Sequence, residues 1–506
     1  MLCTKLIEAT EPLATSGVAD REISGLSYDS RTVQPGDMFF ALRGAAADGH
    51  RFLGAAVEAG AAVLVVEDES LVPAGTPYVK VVDSRMAMAR AAAEFYGNPS
   101  LGLPLIGITG TNGKTTTTYL VEAILAHAGL EAAVLGTISY RFRDLSIPAP
   151  HTTPESVDLQ KILRDLVNRG AAAVVMEVSS HSLEQRRVDG CRFDVGIFTN
   201  LTHDHLDYHH TMEAYLGSKI RLFSELLKED REKPRRRGVV NVDDPYGPRF
   251  ARGAACPVIT YGLLGEADVI AKDVQFSVNG IAGTLVTPLG KAPFRSRMLG
   301  RFNMYNILAA AAAGIALDLP LHAIVAGIEQ HRSVPGRLER VENDRGVTVL
   351  VDYAHTGDAL ENVLRTVRDV AQGRLITVFG CGGDRDRTKR PVMGEVAVRF
   401  SDLAVVTSDN PRTEQPADII ADIRAGIEPL GVREYRLEEL SAGTFGKGFI
   451  AVESRRDAIK LAINLAKPGD VVLLAGKGHE DYQIIGTVKH HFDDREEAAA
   501  AFRELS

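Results

Sequence analysis

The chain has 506 residues, of which 45% are hydrophobic and 24% are charged, and its formal net charge is −9. This length exceeds what one hydrophobic core organises and predicts about three domains of ordinary size. The mixture is typical of a soluble globular protein. The acidic balance without a long basic tract argues against a nucleic-acid partner, and no run approaches the roughly 18 apolar residues of a membrane span.

The cysteines and the N-terminus indicate the compartment. The N-terminal sequence lacks a long apolar core behind a basic start, so no secretory signal is predicted. No C-x-x-C pair occurs, which predicts neither a zinc site nor a disulfide framework and favours a reducing, cytoplasmic location. The four scattered cysteines are Cys3, Cys191, Cys256 and Cys381. The single basic cluster, Lys233–Arg237, is predicted to be a solvated loop between a helix and a strand.

Residues 1–103 are predicted to form a small α/β domain. Apolar runs at Ala61–Glu67 and Tyr78–Val82 are typical of strands. The Ala-rich stretch Phe52–Gly60, next to the first of them, is typical of a helix. Turn residues cluster at Asn98–Ser100, where we expect this domain to end.

Residues 104–334 are predicted to form a central domain with a mainly parallel sheet. Short apolar runs alternate here with helical patterns, as in a sheet covered by helices on both faces. Asn279-Gly280 marks a hairpin, and an Ala-rich helix is expected from Asn303. The predicted strands are Leu105–Thr109, Ala132–Thr137, Ala172–Val178, Asp194–Asn200 and Val239–Val242.

Residues 335–506 are predicted to form a third, Rossmann-like α/β domain after a linker at Arg332–Pro335. The same alternation resumes there, with helices expected at Asp358–Val370 and Ser454–Leu465. The fold class is therefore α/β, with three domains. The predicted strands of the last domain are Val347–Asp352, Leu375–Gly380, Leu403–Thr407 and Val471–Ala475.

The run Leu105–Thr116, LIGITGTNGKTT, is the most informative of the chain. A hydrophobic strand enters a glycine turn that opens onto a helix near Lys114, and such a turn offers backbone N–H groups to phosphate oxygens. Lys114 would reach the terminal phosphates and Thr115 would hold Mg²⁺, although Ile108 replaces the first glycine of the general P-loop pattern. An ordinary strand-to-helix turn is the alternative. The predicted ATP-binding residues of this turn are Gly110, Thr111, Asn112, Gly113, Lys114, Thr115 and Thr116.

Polar residues follow two further predicted strands. Glu177 lies in MEVSSH and His205 in TNLTHDHLDYH, and each string comes just after a strand end, where ligands bind in open parallel sheets. A carboxylate and the Thr115 hydroxyl suit Mg²⁺, whereas imidazole is a less usual ligand for it. From the residues alone, a pair of satisfied polar groups is an equally good interpretation.

The string GTNGKTT, Gly110–Thr116, resembles the ATP loop of the Mur ligase family and of its relative folylpolyglutamate synthetase. The resemblance implies that Glu177 and His205 bind metal together with Thr115. It also implies that Lys219 is a carbamylated lysine and that Lys114, Glu177, His205 and Lys219 form the catalytic set. Asn303 and Asn306, in LGRFNMYN, would contact adenine; for an Asn at a helix start, N-capping is the alternative.

The first domain resembles the uridine-binding domain of this family through D-S-R…P-G-D-x-F-x-A-x-x-G…D-G. The resemblance implies an acceptor, UDP-N-acetylmuramoyl-L-alanyl-D-glutamate. Residues 45–47 also match positions of the family that contact the uracil nucleotide, but less closely, because alanine stands there in place of polar residues. Arg187 is physically suited to it, because a planar guanidinium pairs with phosphate or carboxylate. The implied acceptor-binding residues are Tyr28, Ser30, Thr152, Thr153, Ser179, Gln185 and Arg187.

Strings in the last domain resemble the family's amino-acid site. In D-N-P-R, Arg412 would pair with the distal carboxylate of meso-diaminopimelate and would repel the ammonium that lysine carries instead. A surface turn arginine is the alternative. The residues implied to contact diaminopimelate are Arg385, Asp409, Asn410, Pro411, Arg412, Gly476 and Glu480.

The resemblance implies an ATP- and Mg²⁺-dependent ligase that acts through an acyl phosphate on small-molecule substrates, as a cytoplasmic monomer. Alternatives remain open: the same scaffold adding L-lysine, a folylpolyglutamate synthetase, or a non-catalytic P-loop protein that binds ATP to change shape. The uridine-type first domain and D-N-P-R argue against the second. The metal set at Glu177, His205 and Lys219 argues against the third.

Overall fold

The computed structural model describes residues 3–18, 21–44, 47–331, 333–440 and 445–505. Of the positions with predictions, Ala45, Ala46 and Arg332 lie outside the described residues. The chain divides into two compact units: the first is Met1–Ala271, Leu285–Ala292 and Tyr305–Ile328, and the second is Lys272–Thr284, Pro293–Met304 and Glu329–Ser506. Within the described ranges, no helix has the length and apolar character needed to cross a membrane.

The first unit begins with a five-stranded sheet of order β1-β5-β4-β3-β2 in which only β1 is antiparallel. Its strands are β1 (Ala14–Ser16), β2 (Gly25–Ser27), β3 (Asp37–Phe40), β4 (Val63–Val66) and β5 (Tyr78–Lys80), with helices α1 (Cys3–Ala9), α2 (Leu53–Glu58) and α3 (Ser84–Phe95). The strands and helix predicted from the apolar runs are confirmed as β4, β5 and α2, each a few residues shorter.

The central sheet has 11 strands in the order β16-β15-β14-β13-β12-β11-β6-β10-β7-β8-β9. They are β6 (Leu105–Thr109), β7 (Ala132–Leu135), β8 (Ser139–Phe142), β9 (Leu145–Pro148), β10 (Ala173–Glu177), β11 (Val195–Phe198), β12 (Arg237–Asn241), β13 (Val258–Gly262), β14 (Val269–Ser277), β15 (Gly280–Thr287) and β16 (Gly290–Ser296). Strands β7, β10, β6, β11, β12 and β13 are parallel neighbours. Strand β6 is buried throughout because strands and helices cover it on every side.

Eight helices accompany this sheet in the described ranges: α4 (Lys114–His127), α5 (Ser156–Asn168), α6 (Ser180–Glu184), α7 (Leu206–His209), α8 (Met212–Arg221), α9 (Gly247–Gly253), α10 (Arg301–Ala316) and α11 (Leu321–Gln330). The hairpin expected at Asn279-Gly280 is confirmed as β14–β15. Helix α8 is regular to Arg221, and the chain continues as a π-helical turn, Leu222–Leu226. The antiparallel pair β8–β9 is not among the predicted elements.

The second unit contains a seven-stranded sheet of order β17-β18-β23-β19-β20-β22-β21, parallel except at β17. Its strands are β17 (Glu339–Val341), β18 (Thr348–Asp352), β19 (Leu375–Cys381), β20 (Leu403–Ser408), β21 (Arg433–Glu434), β22 (Gly448–Ala451) and β23 (Val471–Ala475). The helices are α12 (Gly357–Val370), α13 (Lys389–Phe400), α14 (Pro416–Ile427), α15 (Leu437–Leu440), α16 (Arg455–Leu465) and α17 (Asp494–Glu504). A separate hairpin, β24 (Tyr482–Ile485) and β25 (Val488–His491), follows β23. The carboxyl ends of β18, β19, β20 and β23 therefore meet at one sheet edge.

The loop predicted at Lys233–Arg237 is present over 233–236, but the prediction that its charges are solvated is wrong for Lys233 and Arg236. Lys233 and Arg236 are each only 6% exposed, and Arg237 begins β12. The Lys233 amine donates to Leu103 O at 2.8 Å and forms an ion pair with Asp194 at 2.5 Å. Composition alone predicts exposure of such a cluster, but Lys233 finds partners distant in sequence and Arg236 bonds to Leu226 O and to Asp230.

A Lys233→Ala variant is expected to lower the free energy of unfolding by about 3 kcal/mol, because the Asp194 carboxylate loses its charged partner and the Leu103 carbonyl loses its donor. Urea unfolding followed by circular dichroism measures this loss. Arg235→Ala is the matched control, since the Arg235 side chain is 82% exposed and its removal should change stability little. Equal stability of both variants would show that the buried pair contributes nothing.

Candidate active site

Strand β6 ends in the glycine loop, Gly110–Gly113, and α4 starts directly after it. Gly110 has φ 147° and Gly113 has φ 85°, values that favour glycine. A Cβ at Gly110 would lie 1.9 Å from Thr199 Oγ1, and one at Gly113 would lie 2.4 Å from Asn306 Oδ1. Neighbouring groups therefore pack against this backbone so closely that both glycines are required.

The segment after β11 holds the glycine loop in place. The Thr111 N–H donates to Asn200 O at 2.8 Å, and the Asn112 N–H donates to Asn200 Oδ1 at 2.9 Å. The Thr199 hydroxyl donates to Asn112 O at 2.6 Å. The loop is thus fixed in front of the α4 N-terminus, whose first N–H groups lack intrahelical acceptors and favour an anion.

The Lys114 amine lies over the same loop. It donates to Gly110 O at 3.0 Å and to Thr111 O at 2.8 Å. These neutral carbonyls are weaker partners for an ammonium than a phosphate would be. The amine is therefore placed where an anion bound at the α4 N-terminus could attract it.

Glu177 ends β10 and is 1% exposed. Its Oε1 accepts from Thr115 Oγ1 at 2.9 Å and from the Thr137 N–H at 2.9 Å, while Oε2 accepts from Thr137 Oγ1 at 3.0 Å. Gly136 leaves the space, since a Cβ there would lie 2.6 Å from Glu177 Oε1. Two oxygen donors suited to Mg²⁺ thus meet beside the first turn of α4.

Lys219, on α8, approaches the glycine loop from another element. Its side chain is buried, its amine donates to Gly110 O at 2.9 Å, and it lies 4.6 Å from the centre of the Tyr215 ring. Burial first, and then the positive charge of Lys114, lower the pKa of Lys219 well below its usual value. This shift favours the neutral form of the amine, which is the nucleophilic one.

His205 lies at the start of α7 with φ 53°, and its side chain is 46% exposed. Its ring centre is 5.0 Å from that of His181 and 6.1 Å from that of Tyr215. Tyr215 in turn contacts Thr111, with 3.2 Å between the two hydroxyl oxygens. His205 and Lys219 therefore flank one tyrosine that packs against the glycine loop. In the described part of the chain, no group of three His, Cys, Asp or Glu side chains has the geometry of a metal site.

Most of the predicted acceptor residues converge around α6. Arg187 donates to Gln185 Oε1 at 2.7 Å and to Thr153 O at 3.0 Å. The Thr153 hydroxyl donates to Glu177 O at 2.9 Å and accepts from the Ser179 N–H at 3.3 Å. Thr152 also reaches this group, because its hydroxyl lies 3.2 Å from that of Thr137. These side chains thus lie directly beside the buried glutamate.

Tyr28 connects the first sheet to the same region. Its hydroxyl donates to Asp158 Oδ2 on α5 at 2.6 Å, and burial raises its pKa above the usual value. Glu155, which precedes α5, pairs with Arg187 at 2.9 Å. Ser30 lies half-buried in the turn after β2. The structure therefore brings Tyr28 near the other predicted acceptor residues through α5.

The two predicted adenine contacts belong to different units. In the first unit, Asn306 Oδ1 accepts from Thr117 Oγ1 at 3.4 Å and lies against Gly113 of the glycine loop. In the second unit, the Asn303 amide donates to Leu299 O at 2.8 Å. That bond differs from an N-cap, in which the side-chain oxygen accepts from a backbone N–H, because here the Asn303 amide donates to a preceding carbonyl.

The edge where β20 and β23 end carries a cluster of charges. The Lys477 amine, 0% exposed, pairs with Asp409 Oδ1 at 3.0 Å and donates to Asn410 Oδ1 at 3.2 Å. The Asn410 amide donates to Glu480 Oε2 at 3.0 Å. Gly476 is adjacent, since a Cβ there would lie 3.6 Å from Asp409 Oδ2. The cluster holds two carboxylates around one buried ammonium.

The pKa values of the two carboxylates, Asp409 and Glu480, are shifted in opposite directions. Burial tends to raise the pKa of Asp409, but the charges of Lys477 and Arg455 outweigh it and lower that pKa below its usual value. Burial, followed by the negative charge of Asp409, raises the pKa of Glu480. Asp409 is therefore the more permanent anion, and Glu480 would gain from a positive charge placed beside it.

Arg412 has φ 52°, a left-handed conformation that two backbone bonds to the β24–β25 hairpin maintain. Its N–H donates to Ile484 O at 3.1 Å and its carbonyl accepts from the Gly486 N–H at 2.8 Å. Its guanidinium donates to Gly383 O at 2.7 Å. Arg385 is exposed, and both arginines flank Gly382, where a Cβ would lie 3.0 Å from Arg412 and 3.8 Å from Arg385. Pro411, which stands between Asn410 and Arg412 in the sequence, is buried.

Sequence reasoning missed Lys477 and Thr137, which contact predicted site residues directly. Lys477 stands in the string GKGHE, but nothing in the string distinguishes a buried lysine from an exposed one. Thr137 follows β7, and only the neighbouring position of β7 and β10 in the sheet brings it to Glu177. Both contacts depend on tertiary structure.

Comparison with known proteins gives full-length matches. Family models match at residues 22–96 (Mur ligase family, catalytic domain), 108–314 (Mur ligase middle domain) and 336–478 (Mur ligase, glutamate ligase domain). A UDP-N-acetylmuramoyl-L-alanyl-D-glutamate–2,6-diaminopimelate ligase of Geobacter metallireducens is 68% identical, covering 99% of this chain and 98% of its own. The ligase of the same name from Geobacillus kaustophilus is 46% identical, covering 96% and 95%. A solved structure of such a ligase matches with a TM-score of 0.73 at 35% identity, covering 99% of each chain.

Proposed function

The chain belongs to the Mur ligase family, and we propose that it is the ATP-dependent ligase that joins meso-2,6-diaminopimelate to UDP-N-acetylmuramoyl-L-alanyl-D-glutamate in peptidoglycan precursor synthesis. The observation that carries this proposal is the full-length similarity to ligases that are named for this reaction. The proposal includes three functional domains, at 1–103, 104–334 and 335–506, acting in a cytoplasmic monomer.

The first proposed step is attack of the D-glutamate carboxylate on the γ-phosphate of ATP, which gives an acyl phosphate and ADP. Both reactants are anions, so neutralising their charge is the main requirement. Lys114 and the α4 N-terminus would hold the phosphates, with Asn303 and Asn306 at the adenine. Thr115 and Thr116 lie in the first turn of α4, beside the proposed phosphate site.

The residues present fit a magnesium ion. Thr115 and Glu177 would hold it, since their oxygens lie 2.9 Å apart beside the glycine loop, and His205 and Lys219 would complete or shape the site. When bound, Mg²⁺ neutralises triphosphate charge. A neutral Lys219 amine can add CO₂ and lose a proton, and the resulting carbamate supplies the anionic oxygens that an amine lacks. The buried position of Lys219 beside Gly110 O supports this modification, because burial lowers the pKa of the amine and favours its neutral form.

The acceptor would lie along Tyr28, Ser30, Thr152, Thr153, Ser179, Gln185 and Arg187. The contacts of Thr153 and Ser179 with the Glu177 strand end support this assignment, since they would bring the reacting carboxylate towards the phosphates. Arg187 is bonded to the neutral Gln185 and paired with Glu155. A planar guanidinium of this kind can exchange such partners for an anionic substrate group.

The second proposed step is attack of a diaminopimelate amine on the acyl carbon, with release of phosphate. Asp409 and Glu480 would attract ammonium groups, Asn410 and Gly476 would line the site, and Arg385 and Arg412 would bind carboxylate. Placement of the amine against the acyl phosphate, with water excluded, would supply the rate. No side chain needs to act as a covalent nucleophile, and the described cysteines carry no role in this scheme.

Arg412→Ala is expected to raise the KM for diaminopimelate about tenfold or more while the KM for ATP stays nearly unchanged, because a charged hydrogen-bond partner of one substrate is lost. Steady-state kinetics with each substrate varied in turn provide the measurement. Arg399→Ala is the matched control, because its side chain is 57% exposed and pairs only with Glu395 on the surface of the same unit. A parallel rise in both KM values would contradict a specific clamp.

The nearest alternative is the same scaffold adding L-lysine, and a non-catalytic ATP-binding switch is a more distant one. Parallel assays with diaminopimelate and with L-lysine distinguish the lysine-adding ligase from the proposed one. A non-catalytic switch would not release phosphate in a manner that requires both the acceptor and the amino acid. Arg412 favours diaminopimelate, because lysine would place an ammonium against a guanidinium.

A further inference from the structure

A buried arginine lies behind the proposed amino-acid site. Arg390, in the first turn of α13, has a side-chain exposure of 0%. Its guanidinium donates to both oxygens of Glu414, at 2.9 and 2.8 Å, and to Asp422 Oδ2 at 2.8 Å. Burying a guanidinium is costly unless carboxylates pair with it. These bonds therefore fix Arg390 and the Glu414 side chain together.

Glu414 joins two segments, 382–388 after β19 and 409–415 after β20. The Asp384 N–H donates to Glu414 Oε1 at 2.6 Å. In return, the Asp384 carboxylate accepts from the Thr413 N–H at 3.1 Å and from the Thr413 hydroxyl at 2.7 Å. Each segment thus places a carboxylate on the backbone of the other. We name this arrangement of Arg390, Glu414 and Asp384 the clip.

The clip sets the position of the carbonyl that orients Arg412. The Gly383 N–H donates to Asn410 O at 2.9 Å, and Gly383 O accepts from the Arg412 guanidinium at 2.7 Å. The two segments touch backbone to backbone here, since a Cβ at Gly383 would lie 1.9 Å from Pro411 O. A shift of one segment against the other would therefore move the Arg412 guanidinium.

The Glu414 carboxylate of the clip stays charged at every pH at which the protein would be assayed. Hydrogen bonds from Arg390, and next from the Asp384 N–H, lower the pKa of Glu414 to about 2. A carboxylate with a depressed pKa contributes its stabilisation above its ordinary pKa and loses it only as the pH falls through the depressed value. Between about pH 5 and 9 the ion pair of Glu414 with Arg390 is therefore constant, and the clip does not act as a pH switch.

We infer that Glu414, held by Arg390, is a positioning residue that sets the selectivity of the amino-acid site by fixing the two segments that carry Arg385 and Arg412. Glu414 itself contacts no proposed substrate group and acts through the Gly383 carbonyl. The inference rests on the proposed function, because it assumes that Arg412 recognises the distal carboxylate of the incoming amino acid.

Glu414→Gln tests the inference, because glutamine has the same shape but cannot accept from Arg390 and from the Asp384 N–H with both of its terminal atoms. We expect the KM for diaminopimelate to rise about tenfold and the preference for diaminopimelate over lysine to fall by a similar factor. The KM for ATP should stay close to that of the parent, whereas the Tm should fall somewhat because the buried Arg390 loses one charged partner. Glu395→Gln, which removes an exposed surface partner on the same α13, is the matched control.

Thr413→Val provides a second variant, because Thr413 is exposed and the change removes only its hydroxyl bond to Asp384. A loss of preference of roughly twofold to fivefold is expected, and this variant decides the matter if Glu414→Gln fails to fold. Unchanged preference in folded variants overturns the inference. So does a joint rise of all KM values, that for ATP included, which marks a merely structural role. Failure of the parent protein to couple diaminopimelate would instead overturn the proposed function, before any variant is compared.

Discussion

A Lys114→Ala variant is expected to lose ligase turnover by roughly 10³-fold or more. The Lys114 amine lies over the glycine loop beside the α4 N-terminus, 2.8 Å from Thr111 O. Phosphoryl transfer between two anions depends on positive charge at the γ-phosphate, and removal of a single such group commonly costs two to three orders of magnitude.

The measurement for Lys114→Ala is release of phosphate with acceptor, amino acid, ATP and Mg²⁺ all present. Lys161→Ala is the control, because Lys161 is an exposed residue of α5 in the same unit. The Tm of both variants should match that of the parent. A Lys114→Ala protein with near-normal kcat would refute the nucleotide site proposed at the glycine loop.

Lys219→Ala is expected to cause the next largest loss, about 10²-fold or more in kcat. If Lys219 carries a carbamate, the variant lacks an anionic group beside the triphosphate, and such groups in a water-poor site have large electrostatic effects. Short carboxylates such as acetate should then restore part of the activity, because they can occupy the space and replace the missing oxygens.

Rescue by acetate is the part of the Lys219 prediction that a structural role would not reproduce. Lys228→Ala, at an exposed lysine just after the π-helical turn, should neither lose activity nor respond to acetate. Mass spectrometry in CO₂-saturated buffer should detect an added carboxylate on the parent but not on Lys219→Ala. Full activity of Lys219→Ala without acetate would eliminate the carbamate.

The architecture around the glycine loop could be predicted closely from sequence. The strand Leu105–Thr109 and the helix start at Lys114 occur with the expected bounds, because an apolar run, two glycines and a helix-forming stretch each indicate the same local structure. The α/β class is confirmed for the same reason, since strands and helices alternate with short connections along most of the chain.

Burial of charged residues could not be predicted in this way. Lys233 and Arg236 read as surface charges, yet each is 6% exposed, and the partners of Lys233 include Leu103 and Asp194, far away in sequence. Arg390 is a stronger case, because its side chain is 0% exposed although it lies in the first turn of α13 beside Lys389. Such burial depends on carboxylates and carbonyls that only the folded chain brings together.

The candidate site was predictable as a set of strand ends but not as a set of contacts. Glu177 lies at the carboxyl end of β10 as expected, whereas its partner Thr137 follows the neighbouring strand β7, which periodicity cannot pair with β10. The left-handed conformation of Arg412 depends on the hairpin β24–β25, which is about 70 residues further along the chain and lies outside the predicted elements. The roles assigned to these residues stay predictions.

The most direct measurement is the mass of the product formed from UDP-N-acetylmuramoyl-L-alanyl-D-glutamate, ATP and Mg²⁺ with either meso-diaminopimelate or L-lysine. We predict a product heavier by one condensed diaminopimelate, with one ADP and one phosphate per product, and little coupling of lysine. Equal coupling of lysine would contradict the role given to Arg412. Absence of nucleotide consumption with both amino acids would contradict the proposed ligase activity itself.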